Sequence, residues 1–191
     1  MEQATWTKTI GRVAFINCDP LFHDISDEWN ILTAPPSWLT GHVLRKDCIL
    51  APIPAADYAK HSDELYLLPE IGIGSQGEVG SVLLFGAVPL SSMKTIALPS
   101  DSATSVALLK HLIKEKGLAM NYISTGPDYD SMMALADGAL LIGDRALEAA
   151  KEFPEMVQMD LGLAWMNQES LPMIFGVFVA RKDTPVELLK E

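Results

Sequence analysis

Short apolar runs alternate with helix-period patterns through the second half of the chain. A run of about four to eight apolar residues bounded by turn residues is typical of a buried strand, whereas apolar residues three and four positions apart favour one helix face. Strands that alternate with helices pack as parallel strands joined by helical crossovers, so this half predicts an α/β domain. The predicted strands are 94–98, 120–124 and 139–142, and the predicted helices are 102–116, 131–137 and 145–153.

The remaining apolar runs predict a second lobe built from both ends of the chain. Residues 86–93, stiffened by Pro89, and the apolar strand 173–180 are the predicted crossings between lobes. Lobe I is expected to hold 1–87 plus 172–191, and lobe II to hold 88–171. The chain ends at Glu191 in mid-pattern, which predicts a very short last helix or a shortened chain. The other predicted strands are 12–16, 31–34, 48–53 and 82–85, with extended segments at 65–68 and 71–73.

Composition and charge narrow the classes of partner. Hydrophobic residues make up 49% of the 191 residues and charged residues 20%, as in a globular protein. A net charge of −11 argues against nucleic acid and against an anionic membrane surface, because nothing neutralises their phosphates. An anionic ligand must therefore be held by local donors. No apolar run reaches the length of a membrane span, and the first eight residues lack the features of a signal peptide, which predicts a cytoplasmic protein.

The spacing of cysteines and histidines gives no indication of a metal site. Cys18 and Cys48 are too few and too far apart for a metal knuckle or a disulfide framework. No two of the four histidines stand on one helical face, and solvated surface is the expectation for three of them. No metal site is therefore expected. Those three histidines are His42, His61 and His111.

A cluster of hydroxyl residues stands at the predicted start of helix 102–116. Ser102, Thr104 and Ser105 follow a buried strand that ends at Pro99. The first turn of a helix carries unpaired N–H groups and a partial positive charge, which makes it an anion site. One capping residue satisfies most helices, so the additional hydroxyls favour a ligand carboxylate, while ordinary capping stays an equal alternative.

Two further candidates follow predicted strands in lobe I. Asn17 stands after strand 12–16, where open α/β sheets place ligand contacts, although an Asx-turn that closes the loop is an alternative. Pro54 and Ala55 follow strand 48–53, and their small size lets a ligand approach the backbone. Helix packing explains Ala55 equally well or better.

Glycines and a carboxylate supply the last candidates. Gly80 and Ser81 precede the strongly apolar strand 82–85 and offer a hydroxyl with neighbouring amides, but glycine-rich turns before strands are mostly only turns. Asp144 follows strand 139–142 at the start of a helix. It is most simply an N-cap, and a general-base role is the alternative.

The ordered set of these segments resembles one family. From about Arg12 to Arg181 the chain is similar to the MqnA family of menaquinone biosynthetic enzymes, the chorismate dehydratases of the futalosine pathway. The family usually has Thr-Gly where this chain has Glu169-Ser170, and its members usually extend further at the C-terminus. The segments that carry the resemblance are 15–21, 51–54, 80–85, 102–106, 141–144, and 160–162 followed by Trp165 and Leu171-Pro172.

The resemblance implies a two-lobed fold like that of type II periplasmic binding proteins, with the ligand in a cleft between lobes. It implies that chorismate loses water to give 3-[(1-carboxyvinyl)oxy]benzoate, without metal or organic cofactor. We expect Asn17 and Ser81 to be catalytic, and the residues expected to bind substrate are Gly80, Ser102, Thr104, Ser105, Pro54, Ala55 and Asp144. The alternatives are a non-catalytic anion-binding protein and the sister enzyme 1,4-dihydroxy-6-naphthoate synthase, which relies on a histidine that the motif 102–105 lacks.

Overall fold

The computed structural model describes residues 5–190, which form two compact units. Unit 1 contains the residues up to Ile73 and those from Phe175 onward, and unit 2 is Gly74–Ile174. Residues 1–4 and Glu191 lie outside the described residues. The expectation about a signal peptide depends partly on the former, and the expectation about the end of the chain depends partly on the latter. Each unit is organised around a five-stranded mixed sheet with the order given below.

The sheet of unit 1 has the strand order β2-β1-β3-β10-β4. Strand β1 is parallel to β2 and β3, whereas β10 is antiparallel to β3 and also pairs with β4. The chain passes between the units within β4 and again within β10. The strands are β1 (Thr9–Val13), β2 (Asn30–Ala34), β3 (Leu50–Pro54), β4 (Leu65–Ser75) and β10 (Met173–Arg181), and the helices are α1 (Asp19–Phe22), α2 (Pro36–Leu44) and α3 (Ala55–His61).

A glycine in β1 lets helix α2 pack closely on the sheet. A Cβ at Gly11 would lie 2.4 Å from the Cβ of Ala51 in β3 and 3.0 Å from a methyl carbon of Leu39 in α2. Ala51 and Leu39 are fully buried. Any larger residue at position 11 would overpack this contact, which explains why a glycine stands in the middle of this strand.

The sheet of unit 2 has the strand order β7-β6-β8-β5-β9. Strands β6, β7 and β8 are parallel, and β5 runs antiparallel to both β8 and β9. The strands are β5 (Val82–Gly86), β6 (Thr95–Pro99), β7 (Asn121–Thr125), β8 (Gly138–Ile142) and β9 (Val157–Asp160), and the helices are α4 (Ala103–Glu115), α5 (Tyr129–Leu135), α6 (Asp144–Glu152) and α7 (Leu161–Glu169).

Helices cover both faces of the unit 2 sheet. The crossover from β6 to β7 and the crossover from β7 to β8 run in opposite directions along the sheet, so right-handed connections place α4 and α5 on opposite faces. Met132 of α5 and Ala146 of α6 share one buried cluster with Phe85 and Leu141. Tyr129 lies edge-on to Phe85, with 5.5 Å between ring centroids. Helix α4 packs against α7.

The structure corrects several of the sequence-based boundaries. Strand β5 was expected in lobe I, but it lies in the second sheet because it pairs with β8 and β9, so the first crossing falls within β4. Strand β9 was not predicted. At the end of the chain, where a very short last helix was one expectation, the structure has the 3₁₀ turn Val186–Leu189.

Both cysteines are free and buried. Burial raises the pKa of the Cys18 thiol above its usual range and raises the pKa of the Cys48 thiol to about 12. Within residues 5–190, no group of three or more His, Cys, Asp or Glu side chains is arranged to hold a metal ion. No helix in that range is both long enough and apolar enough to span a bilayer.

Asp137 ties the turn before β8 to the start of β6. Its carboxylate accepts the N–H of Lys94 at 2.8 Å, the N–H of Thr95 at 2.9 Å and the hydroxyl of Thr95 at 3.0 Å. The backbone N–H groups of Lys94 and Thr95 hold the pKa of the Asp137 carboxyl below its usual range. Its charge therefore stabilises the fold at neutral pH, and this contribution is lost as the pH falls through the lowered pKa.

We predict that Asp137→Asn lowers the free energy of unfolding at pH 7 and weakens its dependence on pH below about pH 4, the usual pKa of an aspartate. Urea unfolding at pH 7 and pH 3 measures both effects. Asp27→Asn, a change at an exposed aspartate in the turn before β2, is the control and should leave the pH dependence nearly unchanged. An unaltered difference between the two pH values in Asp137→Asn would contradict the assignment.

Candidate functional site

The carboxyl edge of the unit 2 sheet gathers the predicted residues of that unit. Strand β6 leads through Ser102 into α4, and β8 leads through Gly143 into α6. Because β5 is antiparallel to β8, its amino-terminal end lies at this same edge, and Val82 stands opposite Ile142. The N–H of Gly143 donates to the carbonyl oxygen of Ser81 at 2.8 Å. The structure therefore brings Ser81 beside the loop that precedes Asp144.

This edge is a topological switch point. The chain leaves β6 for α4 on one face of the sheet and leaves the neighbouring strand β8 for α6 on the other face. Open α/β sheets bind ligands in the crevice formed at such a point, outside the carboxyl ends of the strands. Within unit 2, the predicted hydroxyl and amide donors therefore stand where this architecture places ligands.

The hydroxyl residues at the start of α4 are buried. Ser102, Thr104 and Ser105 are 6%, 6% and 3% exposed. Ser102 is the N-cap residue, yet its hydroxyl makes no capping hydrogen bond, although its carbonyl accepts the N–H of Val106 at 3.2 Å. The structure therefore contains no capping of α4 by the Ser102 side chain.

Asp160 fixes the loop that carries Gly80. Its carboxylate accepts the N–H of Gly80 at 2.7 Å and that of Val79 at 3.1 Å, and it also caps α7 through the N–H of Leu163 at 2.9 Å. Gly80 has φ +69°, a left-handed conformation that glycine adopts without strain. The Gly80 amide is thus engaged with Asp160, and the Ser81 hydroxyl has no hydrogen-bond partner in the described part of the chain.

Asp144 is not an N-cap, contrary to the simplest sequence-based interpretation. Gly143 is the N-cap residue of α6, with φ +62°, and Asp144 is the first helical residue. A carboxylate there still stabilises the helix through its dipole. A general-base role for Asp144 stays untested.

An ion pair at this edge was missed by the sequence analysis. Nη1 of Arg145 donates to Oδ2 of Asp101 at 3.0 Å, which joins the loop before α4 to the first turn of α6. The two residues are 44 positions apart in the sequence, so no local sequence pattern indicates the pair. Only the parallel pairing of β6 with β8 brings them together.

A second group of predicted residues lies at the carboxyl edge of the unit 1 sheet. Asn17 is exposed in the 3₁₀ turn Ile16–Cys18 after β1, and Pro54 and Ala55 stand at the junction of β3 and α3. Because β1 is parallel to β3, the carboxyl ends of both strands lie at one edge. That Asn17, Pro54 and Ala55 share a site with the unit 2 residues stays a prediction.

A cavity between α4 and α7 adjoins the start of α4. It has a volume of about 350 Å³, and Thr104, His111 and Trp165 are among the residues that line it. The rings of His111 and Trp165 are tilted, with centroids 6.0 Å apart. The indole N–H of Trp165 is buried and has no hydrogen-bond partner within residues 5–190. His111, expected on solvated surface, is indeed 43% exposed but also faces this cavity.

We predict that Asp160→Ala frees the 79–80 loop as well as destabilising α7. The lost helix cap costs about 1 kcal/mol, and the loop N–H groups left without their acceptor add about 1 kcal/mol or more. Hydrogen exchange should therefore accelerate at Val79 and Gly80. Thermal unfolding and residue-resolved amide exchange measure the two effects.

Asp128→Ala is the matched control, because Asp128 caps α5 through the N–H of Ser131 at 3.0 Å without holding a distant loop. Asp128→Ala should lower the free energy of unfolding only by the contribution of the lost helix cap. Equal destabilisation by the two variants, with unchanged exchange at Val79, would show that Asp160 does not fix the loop.

Comparison with known proteins finds one matching family and several similar proteins. The sequence profile of a family described as menaquinone biosynthesis matches residues 8–191. A chorismate dehydratase from Thermus thermophilus is 33% identical over 198 residues, which cover 92% of this chain and 70% of that protein. Protein AF1704 from Archaeoglobus fulgidus superposes with a TM-score of 0.72 at 19% identity, over 96% of this chain and 71% of that one.

The periplasmic aliphatic sulphonate binding protein of Escherichia coli has the same fold. Its TM-score is 0.59 at 14% identity, and the match covers 91% of this chain and 61% of that protein. Likeness at this identity shows the fold alone. It confirms the predicted α/β class with a two-lobed fold like that of periplasmic binding proteins.

Proposed function

The chain belongs to the menaquinone biosynthesis family, and from this premise we propose that it is a hydro-lyase that dehydrates chorismate. The product is 3-[(1-carboxyvinyl)oxy]benzoate, and the second product is water. The observation that carries the proposal is the 33% identity to a chorismate dehydratase along nearly the whole chain. The geometry of the unit 2 edge supports it.

The donors at the unit 2 edge suit a small dianion. Chorismate carries two carboxylates, and a chain with a net charge of −11 must hold them by local contacts. The start of α4 offers hydroxyls and a helix dipole for one carboxylate. Ser81 offers a hydroxyl for the other. In our proposal the hydroxyls of Ser102, Thr104 and Ser105 bind the ring carboxylate.

The reaction needs little acid–base power from the protein. Loss of the C3 proton and of the C4 hydroxyl turns the cyclohexadiene into a benzene ring, so aromatisation drives the step. Positioning of the substrate is then the main contribution of the protein. We propose that the enolpyruvyl carboxylate of the substrate removes the C3 proton, while Asn17 and Ser81 fix that carboxylate.

The other predicted residues have supporting roles in this proposal. Pro54 and Ala55, at the end of β3, let the substrate lie close to the backbone. Gly80 shapes the turn before Ser81, since its amide is already bound by Asp160. The N–H of Gly143 donates to the carbonyl oxygen of Ser81, and Asp144 directly follows Gly143. In this proposal Asp144 is a polar residue lining the substrate site.

We predict that Ser81→Ala and Asn17→Ala each lower the turnover of chorismate by ~10²-fold, because each removes a hydrogen bond that positions the reacting carboxylate. Steady-state assays of aromatic product formation measure the effect. Turnover within about twofold of wild type in either variant would refute the corresponding role.

Two exposed residues provide matched controls. Ser92→Ala changes a serine beyond the opposite end of β5, and Asn30→Ala changes an asparagine that pairs with Thr9 at the amino-terminal end of β1. Both should retain wild-type turnover. A loss in the controls equal to that in Ser81→Ala or Asn17→Ala would mean that the effect is not specific to the site.

Incubation of the purified protein with chorismate tests the proposed function directly. A growing aromatic absorbance, with the product identified by mass, is the expected result. Binding of chorismate without any spectral change would instead establish a non-catalytic binding protein of the same fold.

A further inference from the structure

The ion pair between Arg145 and Asp101 spans the topological switch point of unit 2. Asp101 lies in the loop between β6 and α4, and Arg145 is the second residue of α6, directly after the loop that follows β8. The 3.0 Å contact therefore links the two chain segments that leave the sheet toward opposite faces. This is the point at which the architecture places a ligand.

The two partners are unequally buried. The Asp101 side chain is 5% exposed and the Arg145 side chain is 36% exposed. The second carboxylate oxygen of Asp101, Oδ1, is buried without a hydrogen-bond partner among the described residues. A buried carboxylate held in this way depends on its arginine, and in turn it fixes the orientation of the guanidinium on a partly exposed side chain.

We propose that Arg145 binds the ring carboxylate of the substrate and that Asp101 is its positioning residue, an inference that rests on the proposed dehydration. Asp101, Asp144 and Asp160 place carboxylates near this edge, and these charges by themselves repel a dianion. Asp160 is occupied by backbone N–H groups. Arg145 brings a positive charge with planar geometry suited to a carboxylate.

The chemistry of the substrate gives this contact a catalytic consequence. When the C3–H bond breaks, its electron pair is delocalised through the C2=C1 double bond onto the ring carboxylate. The pair then returns to form the ring double bond as the C4–O bond breaks, and the hydroxide leaves with the proton taken from C3. Negative charge on the ring carboxylate is thus greatest near the transition state, so an adjacent guanidinium raises kcat as well as affinity.

Turnover of chorismate by Arg145 variants tests the contact. Arg145→Gln should lower kcat by ~10²-fold, and Arg145→Lys, which keeps the charge without the planar fork, should lose less. Lys151→Gln removes a cation from the exposed last turn of the same helix and should leave kcat unchanged. A loss in Lys151→Gln equal to that in Arg145→Gln would point to the overall charge and overturn the proposal.

Arg145→Gln leaves Asp101 as a buried charge without its partner, which can itself destabilise the fold. The double variant Asp101→Asn/Arg145→Gln removes both charges and should unfold close to the wild-type temperature. We expect its kcat to remain ~10²-fold low. If the double variant regained turnover within about twofold of wild type, the pair would be only a structural link between the two loops.

A comparison of ligands separates carboxylate recognition from turnover. The probes are 3-[(1-carboxyvinyl)oxy]benzoate and its ring methyl ester, with dissociation constants measured by calorimetry. Arg145→Gln should weaken binding of the acid by ~10-fold or more and leave binding of the ester unchanged, because the ester lacks the charge that Arg145 binds. An equal penalty on both ligands would overturn the proposal.

The same comparison distinguishes this inference from the proposed function. A charge-dependent penalty together with no conversion of chorismate by the wild type would uphold the role of Arg145 and refute the dehydration. If the wild type converts chorismate but Arg145→Gln weakens binding of acid and ester equally, the dehydration is upheld and the role of Arg145 is refuted. Absence of binding of either probe to the wild type, together with no conversion of chorismate, would overturn both.

Discussion

The antiparallel pairing of β5 with β8 is the constraint on which the candidate site in unit 2 depends. The other strands bordering the switch point deliver their carboxyl ends to the edge, and a parallel β5 would place Ser81 at the opposite end of the sheet. Reversal of this one strand brings its amino-terminal end beside Gly143. Asp160, at the end of β9, then fixes the preceding loop through two of its N–H groups. The β5–β8 pairing fixes the position of Ser81, and the Asp160 carboxylate fixes the conformation of the loop that precedes it.

Much of this arrangement could be predicted from the sequence. The apolar runs and helix periods located β6, α4, β8 and α6 to within a few residues, because these elements are buried on regular faces. The hydroxyls before Val106 were recognisable because they stand where a strand gives way to a helix. Such patterns lie within a short stretch of sequence, so they can be recognised without knowing any long-range contact.

Features set by long-range contacts could not be predicted in the same way. Whether β5 belongs to one sheet or the other depends on its partners, not on its own apolar run, and so the first crossing was misplaced. The Asp101–Arg145 pair and the engagement of Gly80 with Asp160 join residues 44 and 80 positions apart. Asp144 was misjudged by a single position, because a left-handed glycine took the cap instead.

The burial of both cysteines has a practical consequence for labelling experiments on this protein. The thiolate is the reactive species, and thiols whose pKa values are raised by burial are poor nucleophiles at neutral pH. The wild-type chain therefore offers a nearly silent background for thiol-directed labelling. A surface cysteine introduced into each unit could carry fluorophores or spin labels, and the separation of the units could then be followed with and without ligand while Cys18 and Cys48 remain in place.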